Sequence, residues 1–168
     1  MKIGRHIAID KAAVTAFVVV VLDQLTKQWA FSATTPGGDI DLFFGFSIGQ
    51  TRNEGIAFGF FSGRPWIVYG LMAVALSVLV WFYLRHRSRP VLWLATGLLL
   101  GGAIGNAIDR LSLGYVRDFI DFPSFPSFNV ADIAITFGVV ILVLTAERQD
   151  DFEEPSLPLE EDAPERTL

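Results

Sequence analysis

Three aspartates lie in an otherwise apolar stretch near the end of the chain, YVRDFIDFPSFPSFNVADIAITFG at residues 115–138. Carboxylates are costly to keep ionised in such surroundings, which suggests a chemical role. Two carboxylates that share one proton can form an aspartyl dyad, in which one acts as a base on water and the other polarises a carbonyl. Asp118 and Asp132 are joined by a proline-containing segment that is long enough to fold back. Their spacing therefore permits a dyad, and Asp121 is interpreted as a solvated loop acid.

The polar residues near this stretch also have structural explanations. Asp132 could be an acid in the first turn of a helix, stabilised by the macrodipole, with Asn129 as N-cap. Asp23 and Lys27 stand at i and i+4 and could neutralise each other. Lys27 could also activate a serine, although no short motif supports a Ser-Lys dyad. The candidate serines are Ser47, Ser112, Ser124 and Ser127.

A further polar group lies upstream of the aspartates. Asn106, Asp109 and Arg110 stand at i, i+3 and i+4 and share one face of a helix. They could form a structural clamp, or Arg110 could pair with an acid of the site.

Composition excludes several classes of site. The chain has no cysteine, which removes disulfides, thiolate nucleophiles and Cys-ligated metals. Its two histidines, His6 and His86, lie among Arg and Lys and not near the other polar residues of the candidate site. No His-based metal site or Ser-His-Asp triad is therefore expected. With 52% hydrophobic residues, the chain is too apolar for an ordinary soluble domain.

The formal net charge of −5 is concentrated at the C-terminal end. Residues 147–168 carry a net charge of −7, whereas the rest of the chain carries +2. The acidic segment has prolines and few aromatic residues, and it is predicted to be a disordered, solvated tail without a catalytic role. Residues 1–146 are predicted to form a single membrane domain.

Four apolar stretches are long enough to cross a bilayer, which takes about 20 residues. They are residues 12–31, 66–84, 91–108 and 130–146. The first could instead be a secretory signal peptide, because basic residues precede its apolar core and Ala30 and Ser32 could form a cleavage site. Asp23 and Lys27 argue against this alternative, since signal peptides rarely carry such residues just after the core.

Basic residues predict the orientation of these spans. Three precede the first span and three lie between the second and the third, namely Lys2, Arg5, Lys11, Arg85, Arg87 and Arg89. The positive-inside rule then places both termini in the cytoplasm and loops 32–65 and 109–129 outside. All ionisable residues within the spans consequently converge on the outer membrane–water interface, where water is available.

The first outer loop contains a predicted strand. In DLFFGFSIGQ (41–50), Phe44, Phe46 and Ile48 alternate on one face, and a Phe-rich turn follows. The strand could belong to a small hairpin packed on the helix ends. It could equally form an aromatic wedge that lies on the bilayer and holds an extended peptide or lipid.

Five sequence blocks are more specific than any single residue pattern. They are DQLTK (23–27), RNEGIAFG (52–59), GGAIGNAIDR (101–110), VRDFIDF (116–122) and FNVADIAIT (128–136). In this order they resemble the lipoprotein signal peptidase (signal peptidase II) family across nearly the whole membrane domain. The chain departs from the family at Ile56, where alanine is usual, a change that adds bulk and removes no catalytic group.

The resemblance implies residue roles and a fold. The family's catalytic aspartates correspond to Asp118 and Asp132. Its other signature positions, which shape the site or bind substrate, correspond to Asp23, Lys27, Asn53, Gly55, Asn106, Asp109, Arg110, Asn129 and Ala131. The implied fold is an all-α polytopic membrane protein with four transmembrane helices and both termini cytoplasmic. A small outward-facing β-cradle and an interfacial segment are expected in the first long loop, and the first span is retained.

The resemblance also implies an activity. The protein would be an aspartic endopeptidase of the bacterial cytoplasmic (inner) membrane, with its active site near the outer face. Its substrate would be a prolipoprotein, cut just before a cysteine that carries diacylglycerol. The implied partners are this lipidated precursor and membrane phospholipid. The resemblance implies no nucleic acid, no metal and no cofactor, and the protein is expected to be a monomer.

The main alternative is a small ion- or proton-coupled transporter that uses Asp23, Asp109 and Asp132 as a cation path. Such a path needs polar residues through the full depth of the membrane. The inner halves of the second, third and fourth predicted spans contain no Asp, Glu, Lys or Arg, which weighs against it. A structural subunit of a membrane complex is a third interpretation, and it would need no dyad.

Overall fold

The computed structural model describes residues 3–55, 64–86 and 91–150, and this part of the chain forms four helices and four short strands. In chain order the elements are α1 (Ile3–Ala33), β1 (Ile40–Asp41), β2 (Ser47–Asn53), α2 (Pro65–His86), α3 (Leu92–Leu113), β3 (Val116–Phe122), β4 (Phe125–Phe128) and α4 (Val130–Asp150). Ile56 and the residues after it up to 63 lie outside the described residues, as does the tail from residue 151 onward.

Each predicted span lies within one helix except for Val91, which precedes α3, and every helix extends beyond its span at one end or both. α3 continues to Leu113, so Asp109 and Arg110 lie on a helix and not in an outer loop. α4 continues to Asp150, so residues 147–150 of the predicted tail are helical. Among the described helices, Trp66–Arg85 and Leu92–Leu113 are long and apolar enough to cross a membrane. Val130–Thr145 is a shorter apolar helix, and the count of four spans remains a prediction.

Glycines on α3 allow α1 and α4 to approach it closely. A Cβ atom at Gly101 would lie 2.6 Å from the Cβ of Val19 on α1, which is closer than real Cβ contacts. A Cβ at Gly102 would meet the backbone and side chain of α4 in the same way. Small residues favour close helix packing in membranes, where lipid provides no hydrophobic driving force. α3 therefore lies between α1 and α4 and brings their polar residues together.

The strands form one antiparallel sheet in the order β1-β2-β3-β4. Thr51 on β2 pairs with Asp118 on β3, and Asn53 pairs with Val116. Since neighbouring side chains alternate between the two faces of a strand, Thr51, Asn53 and Asp118 share one face.

The strand prediction is only partly correct. Ile48 lies in β2, but Phe44 and Phe46 lie in the turn that precedes it. The sheet also draws β3 and β4 from the second outer loop, where the sequence predicted no strand, so the sheet is not built from the first loop alone. The fold is mostly helical with a small antiparallel sheet. Pro123 lies in the turn between them and Pro126 in β4, an edge strand that tolerates a missing N–H donor.

The sheet packs against the C-terminal end of α1. Ile48 and Phe119 form a buried cluster with Ala30. The side-chain amide of Gln50 donates to the carbonyl oxygens of Phe31 at 2.9 Å and Thr34 at 2.6 Å. These bonds satisfy carbonyls that have no partner within the helix, so the sheet is fixed at this end of α1.

Candidate active site

Asn129 joins the two candidate catalytic carboxylates. Its side-chain amide donates to Asp118 Oδ1 at 2.6 Å, and its backbone N–H donates to Asp132 Oδ2 at 3.2 Å. Asp118 lies on β3 and is only 1% exposed, while Asp132 is in the first turn of α4. The fold therefore brings these two carboxylates, fourteen residues apart in sequence, to a common donor.

The N-terminus of α4 explains how Asp132 is held. Asn129 Oδ1 accepts from the Asp132 backbone N–H at 3.0 Å, while Asp132 accepts from the Asn129 backbone N–H in return. This reciprocal pair is a capping box. The structural interpretation of Asp132 is thus correct, and it is compatible with a chemical role because the cap fixes the carboxylate beside Asp118.

Each carboxylate also accepts from a second amide. Asn53 Nδ2 donates to Asp118 Oδ2 at 3.0 Å, and Asn106 Nδ2 donates to Asp132 Oδ1 at 2.9 Å. The Asn53 amide is itself oriented, because its Oδ1 accepts from the Gly55 backbone N–H at 3.0 Å. Three asparagines from β2, α3 and the start of α4 therefore hold the acids.

Burial and the neighbouring charge act together on Asp118. Burial of the carboxyl group is the largest effect and, with repulsion from Asp132, raises the pKa of Asp118 to about 6. Hydrogen bonds from Asn53 and Asn129 and the positive charge of Lys27 lower the same pKa and so limit the rise. An acid with a pKa near 6 can exchange its proton close to neutral pH, as acid–base chemistry requires.

A buried cluster of charges lies directly behind the two acids. Lys27 Nζ is 2.8 Å from Asp23 Oδ2 and 3.4 Å from Asp109 Oδ2, and all three side chains are fully buried. Lys27 also donates to Asn106 Oδ1 at 2.9 Å. Because that oxygen accepts from both Lys27 and Asn129, the NH₂ group of Asn106 is directed at Asp132.

Asp23 does more than neutralise Lys27. Its Oδ1 accepts from the Ala131 backbone N–H at 2.9 Å, in the first turn of α4. Ala131 is fully buried and leaves room for this contact between α1 and α4. The contacts favour retention of α1 over the signal-peptide interpretation, since Asp23 and Lys27 both hold parts of the site.

Arg110 faces the site from α3. Its Nη2 donates to the Gly55 carbonyl at 2.7 Å, while its buried Nε has no partner among the described residues. Asn106, Asp109 and Arg110 share a helix face as predicted, and Lys27 contacts both Asn106 and Asp109, whereas Arg110 contacts Gly55. The three residues connect α4, the buried cluster and the segment after β2, which is compatible with a structural clamp.

Arg117 is a member of the buried cluster that the sequence reading missed. It holds Asp109 through its backbone N–H at 2.9 Å, its Nε at 3.2 Å and its Nη2 at 2.7 Å. The same Nη2 donates to Gln24 at 3.0 Å. Its place directly before Asp118 in the VRDFIDF block was the one available signal, but a basic residue in an outer loop is normally expected to face water.

Among the described hydrogen bonds, none joins Asp121 or a candidate serine to Asp118 or Asp132. Asp121 accepts from the Ser127 hydroxyl, which is also 3.0 Å from the Thr51 hydroxyl. Ser112 donates to the Ile108 carbonyl at 2.6 Å. The described contacts of Lys27 are with carboxylates and an amide, so the geometry does not support a Ser-Lys dyad.

Comparison with known proteins points to one family. A family profile described as signal peptidase (SPase) II matches residues 15–147. A lipoprotein signal peptidase of Halothermothrix orenii is 33% identical, with 82% of this chain and 95% of the relative covered. Another, from Symbiobacterium thermophilum, is 39% identical over 78% of this chain and 90% of the relative.

A solved structure agrees with these relatives. A bacterial membrane enzyme determined at 2.3 Å resolution superposes with a TM-score of 0.80 and 30% identity, covering 87% of this chain and 93% of the other. The matched residues include α2, α3, the sheet and most of α1 and α4, with both candidate catalytic aspartates. The chain therefore belongs to the signal peptidase II family and is a membrane aspartic peptidase of that type.

Proposed function

We propose that the protein removes signal peptides from diacylglyceryl-modified prolipoproteins, cleaving before the lipidated cysteine with Asp118 and Asp132 as a water-activating dyad. The observation that carries the proposal is the pair of acids bridged by Asn129, each bonded to a second asparagine. The curated relatives are named lipoprotein signal peptidases, which supports the choice of substrate.

The environments of the two acids suggest a division of labour. Asp132 lies at the positive end of the α4 macrodipole, where a negative charge is stabilised. Asp118 is buried in the sheet, with its pKa raised to about 6 by burial and by the charge of Asp132. In this proposal Asp132 is the ionised base and Asp118 is the partner that holds the proton.

The reaction then proceeds in two steps. Asp132 takes a proton from water as the water oxygen attacks the scissile carbonyl carbon, and Asp118 gives its proton to the carbonyl oxygen. The tetrahedral intermediate collapses when Asp132 gives its proton to the leaving nitrogen of the cysteine and Asp118 regains the hydroxyl proton. The C–N bond is broken, one water molecule is consumed and the dyad returns to its starting state.

The remaining site residues have positioning roles in this mechanism. Asn53, Asn106 and Asn129 hold the carboxylates, while Asp23, Lys27 and Asp109 fix Asn106 and the start of α4. Arg110 and the Gly55 backbone lie where an extended substrate backbone would pass. Ala131 keeps the close contact between helices.

The membrane placement completes the proposal. With four spans and both termini in the cytoplasm, the dyad lies at the outer interface of the bacterial cytoplasmic membrane. A lipidated precursor, itself anchored in that membrane, would reach the site laterally. The enzyme would act on it as a monomer. The transporter alternative is not favoured, because the described buried charges gather at one end of the helices.

Processing by the purified protein in lipid vesicles tests the substrate assignment. Two forms of one precursor are compared, the first with a diacylglyceryl cysteine and the second with serine at that position. The proposal predicts cleavage of the lipidated form alone, at the bond before the cysteine, as read by mass spectrometry of the new N-terminus. Equal cleavage of both forms, or a cut elsewhere, would contradict it.

A further inference from the structure

The two turns at one end of the sheet form an exposed apolar surface. The turn before β2 and the turn between β3 and β4 lie side by side, since the rings of Phe46 and Phe122 have centroids 4.6 Å apart. A Cβ atom at Gly45 would lie only 3.2 Å from Pro123 Cγ. We call this surface the apolar tip, and it consists of the exposed side chains Leu42, Phe43, Phe44, Phe122 and Phe125.

Phe44 is the most unusual residue of the apolar tip. It is 90% exposed, and its φ of 54° is in the left-handed region that a bulky side chain rarely adopts. Hydrogen bonds from Leu42 N to Phe46 O at 2.8 Å and from Phe46 N to Phe43 O at 3.1 Å hold this turn. A strained backbone that presents a ring to the outside indicates a functional constraint, here a contact with an apolar partner.

The contact between the sheet and α1 determines where the sheet lies along the helices, and so its expected depth in the membrane. Ile48 and Phe119 pack on Ala30, at the outer end of the predicted first span. Trp29 and Leu25 are exposed on the adjacent turns of α1, so apolar surface continues along this end of the helix. Aromatic residues concentrate at the membrane–water interface because their rings suit the headgroup region. The apolar tip belongs to a sheet that is fixed at this level.

Polar residues set a boundary behind the tip. Asp41, Ser47 and Asp121 form one row across the three neighbouring strands, directly behind the two turns. The five side chains of the tip itself are uncharged. An apolar end with this polar row of two acids and a serine behind it matches a surface that enters a bilayer to a limited depth.

We propose that the apolar tip inserts into the outer leaflet of the bilayer and anchors the sheet that carries Asn53 and Asp118. The tip is four residues along β3 from Asp118, roughly 13 Å at the usual rise of a strand. It therefore acts at a distance from the chemistry, holding the site at the depth where a membrane-anchored precursor is presented. This anchoring rests on the membrane placement of the protein and not on the dyad mechanism.

Spin labelling tests the proposal directly, because the native chain has no cysteine. Single-cysteine variants Phe44→Cys, Val74→Cys and Glu54→Cys are labelled and reconstituted in phosphatidylcholine–phosphatidylglycerol vesicles. Val74 is an exposed residue within the apolar span of α2, and Glu54 is an exposed polar reference at the other end of the sheet. Collision with oxygen reports lipid, and collision with a water-soluble nickel complex reports solvent.

The label at Phe44→Cys is expected to collide more often with oxygen than with the nickel complex, which places it in lipid at a shallower depth than the label at Val74→Cys. The label at Glu54→Cys should collide more often with the nickel complex. A label at position 44 that matches position 54 would overturn the proposal. Dipolar broadening between labels at position 44 would also overturn it, because a second copy of the chain would then cover the tip.

A variant with a relaxed turn separates anchoring from folding. Asparagine tolerates the left-handed region, so Phe43→Ser/Phe44→Asn should unfold in detergent at no lower temperature than the wild type. In vesicles its KM for the lipidated precursor should rise several-fold with kcat retained, and in detergent the difference should disappear. An unchanged KM in vesicles would contradict the anchoring role. If no precursor is cleaved by any form, the proposed function fails, and the labels still decide whether the tip enters lipid.

Discussion

Asp118 lies among groups that act on its protonation in opposite directions. Burial and the charge of Asp132 raise its pKa to about 6, whereas Asn53, Asn129 and Lys27 favour its ionised form. Because this pKa is above its unfolded value, the group contributes native stability that is fully present below about pH 4 and lost as pH rises through 6. The folded protein thus maintains a costly carboxylate, as is common at functional sites and as the proposed mechanism expects.

The pH dependence of cleavage follows from this pKa. If Asp118 must hold the proton, kcat/KM should fall on the alkaline side with an apparent pKa near 6. Asn53→Ala removes a donor that stabilises the ionised form of Asp118, so the pKa of Asp118 rises. The alkaline limb of the pH–rate profile should therefore move to higher pH. Initial cleavage rates across a pH series, for the wild type and for Asn53→Ala, measure the apparent pKa and its shift.

Thr51→Ala is the matched control for this shift. Thr51 is the cross-strand partner of Asp118 on the same sheet face, but its hydroxyl contacts Ser127 and not the dyad. The alkaline limb should stay in place in this variant. An alkaline limb of Asn53→Ala that stays at the wild-type pH, or moves down, would contradict the assigned hydrogen bond.

The contact between α1 and α3 is the element on which the buried cluster depends. A Cβ atom at Gly105 would lie 2.6 Å from Asp23 Oδ2. The other carboxylate oxygen of Asp23 holds the start of α4 by accepting from the Ala131 backbone N–H. Gly105→Ala should therefore destabilise the fold by about 1–3 kcal/mol and reduce cleavage. A Cβ atom at Gly70 on α2 would have no neighbour within 4 Å, so Gly70→Ala should leave the stability and the cleavage rate unchanged. Equal thermal unfolding of the two variants would argue against the close packing.

The anchoring of β3 on α3 depends on Arg117. Arg117→Gln leaves the buried Asp109 with Lys27 as its remaining cation, so a loss of roughly 3 kcal/mol in unfolding free energy is expected. Arg117→Lys should lose less, because it keeps the charge. Arg52→Gln is the control, since Arg52 is the cross-strand partner of Arg117 and stacks on Tyr115 while remaining exposed. Denaturant unfolding that shows similar losses for both arginines would refute this role.

The sequence predicted the helices better than the strands for physical reasons. Apolar runs of about 20 residues specify a membrane helix without reference to the rest of the fold. The strands β3 and β4 are short and carry prolines and acids, and they form because β2 and the end of α1 are available to pair with them. Such long-range partners are not encoded in local periodicity.

The same distinction applies to the site. The motif blocks identified Asp118, Asp132 and the asparagines, because each has a characteristic sequence neighbourhood. Arg117 lies in one of these blocks, directly before Asp118, but its role depends on how β3 pairs and where α3 ends. Local sequence could therefore identify the candidate catalytic groups, but not the role of Arg117, which holds Asp109 in the cluster behind them.

At the scale of the whole molecule, three helices and one sheet hold the acids. α1 supplies the buried lysine, α3 an asparagine, α4 one aspartate and β3 the other. Charges that would be costly in lipid are collected at one end of the helices, where they neutralise each other and orient the two candidate catalytic acids. The architecture explains how an apolar chain accommodates a pair of buried carboxylates.

The central claim is that Asp118 and Asp132 act on water while Asp121 does not. Single-turnover cleavage of a lipidated precursor in vesicles, with Asp118→Asn, Asp132→Asn and Asp121→Asn compared at equal folded concentrations, measures this most directly. Loss of acid–base catalysis costs about 100- to 10,000-fold in rate, so the first two variants should fall by that much and the third should keep nearly wild-type activity. Retained cleavage by either of the first two, or loss in the third alone, would contradict the account.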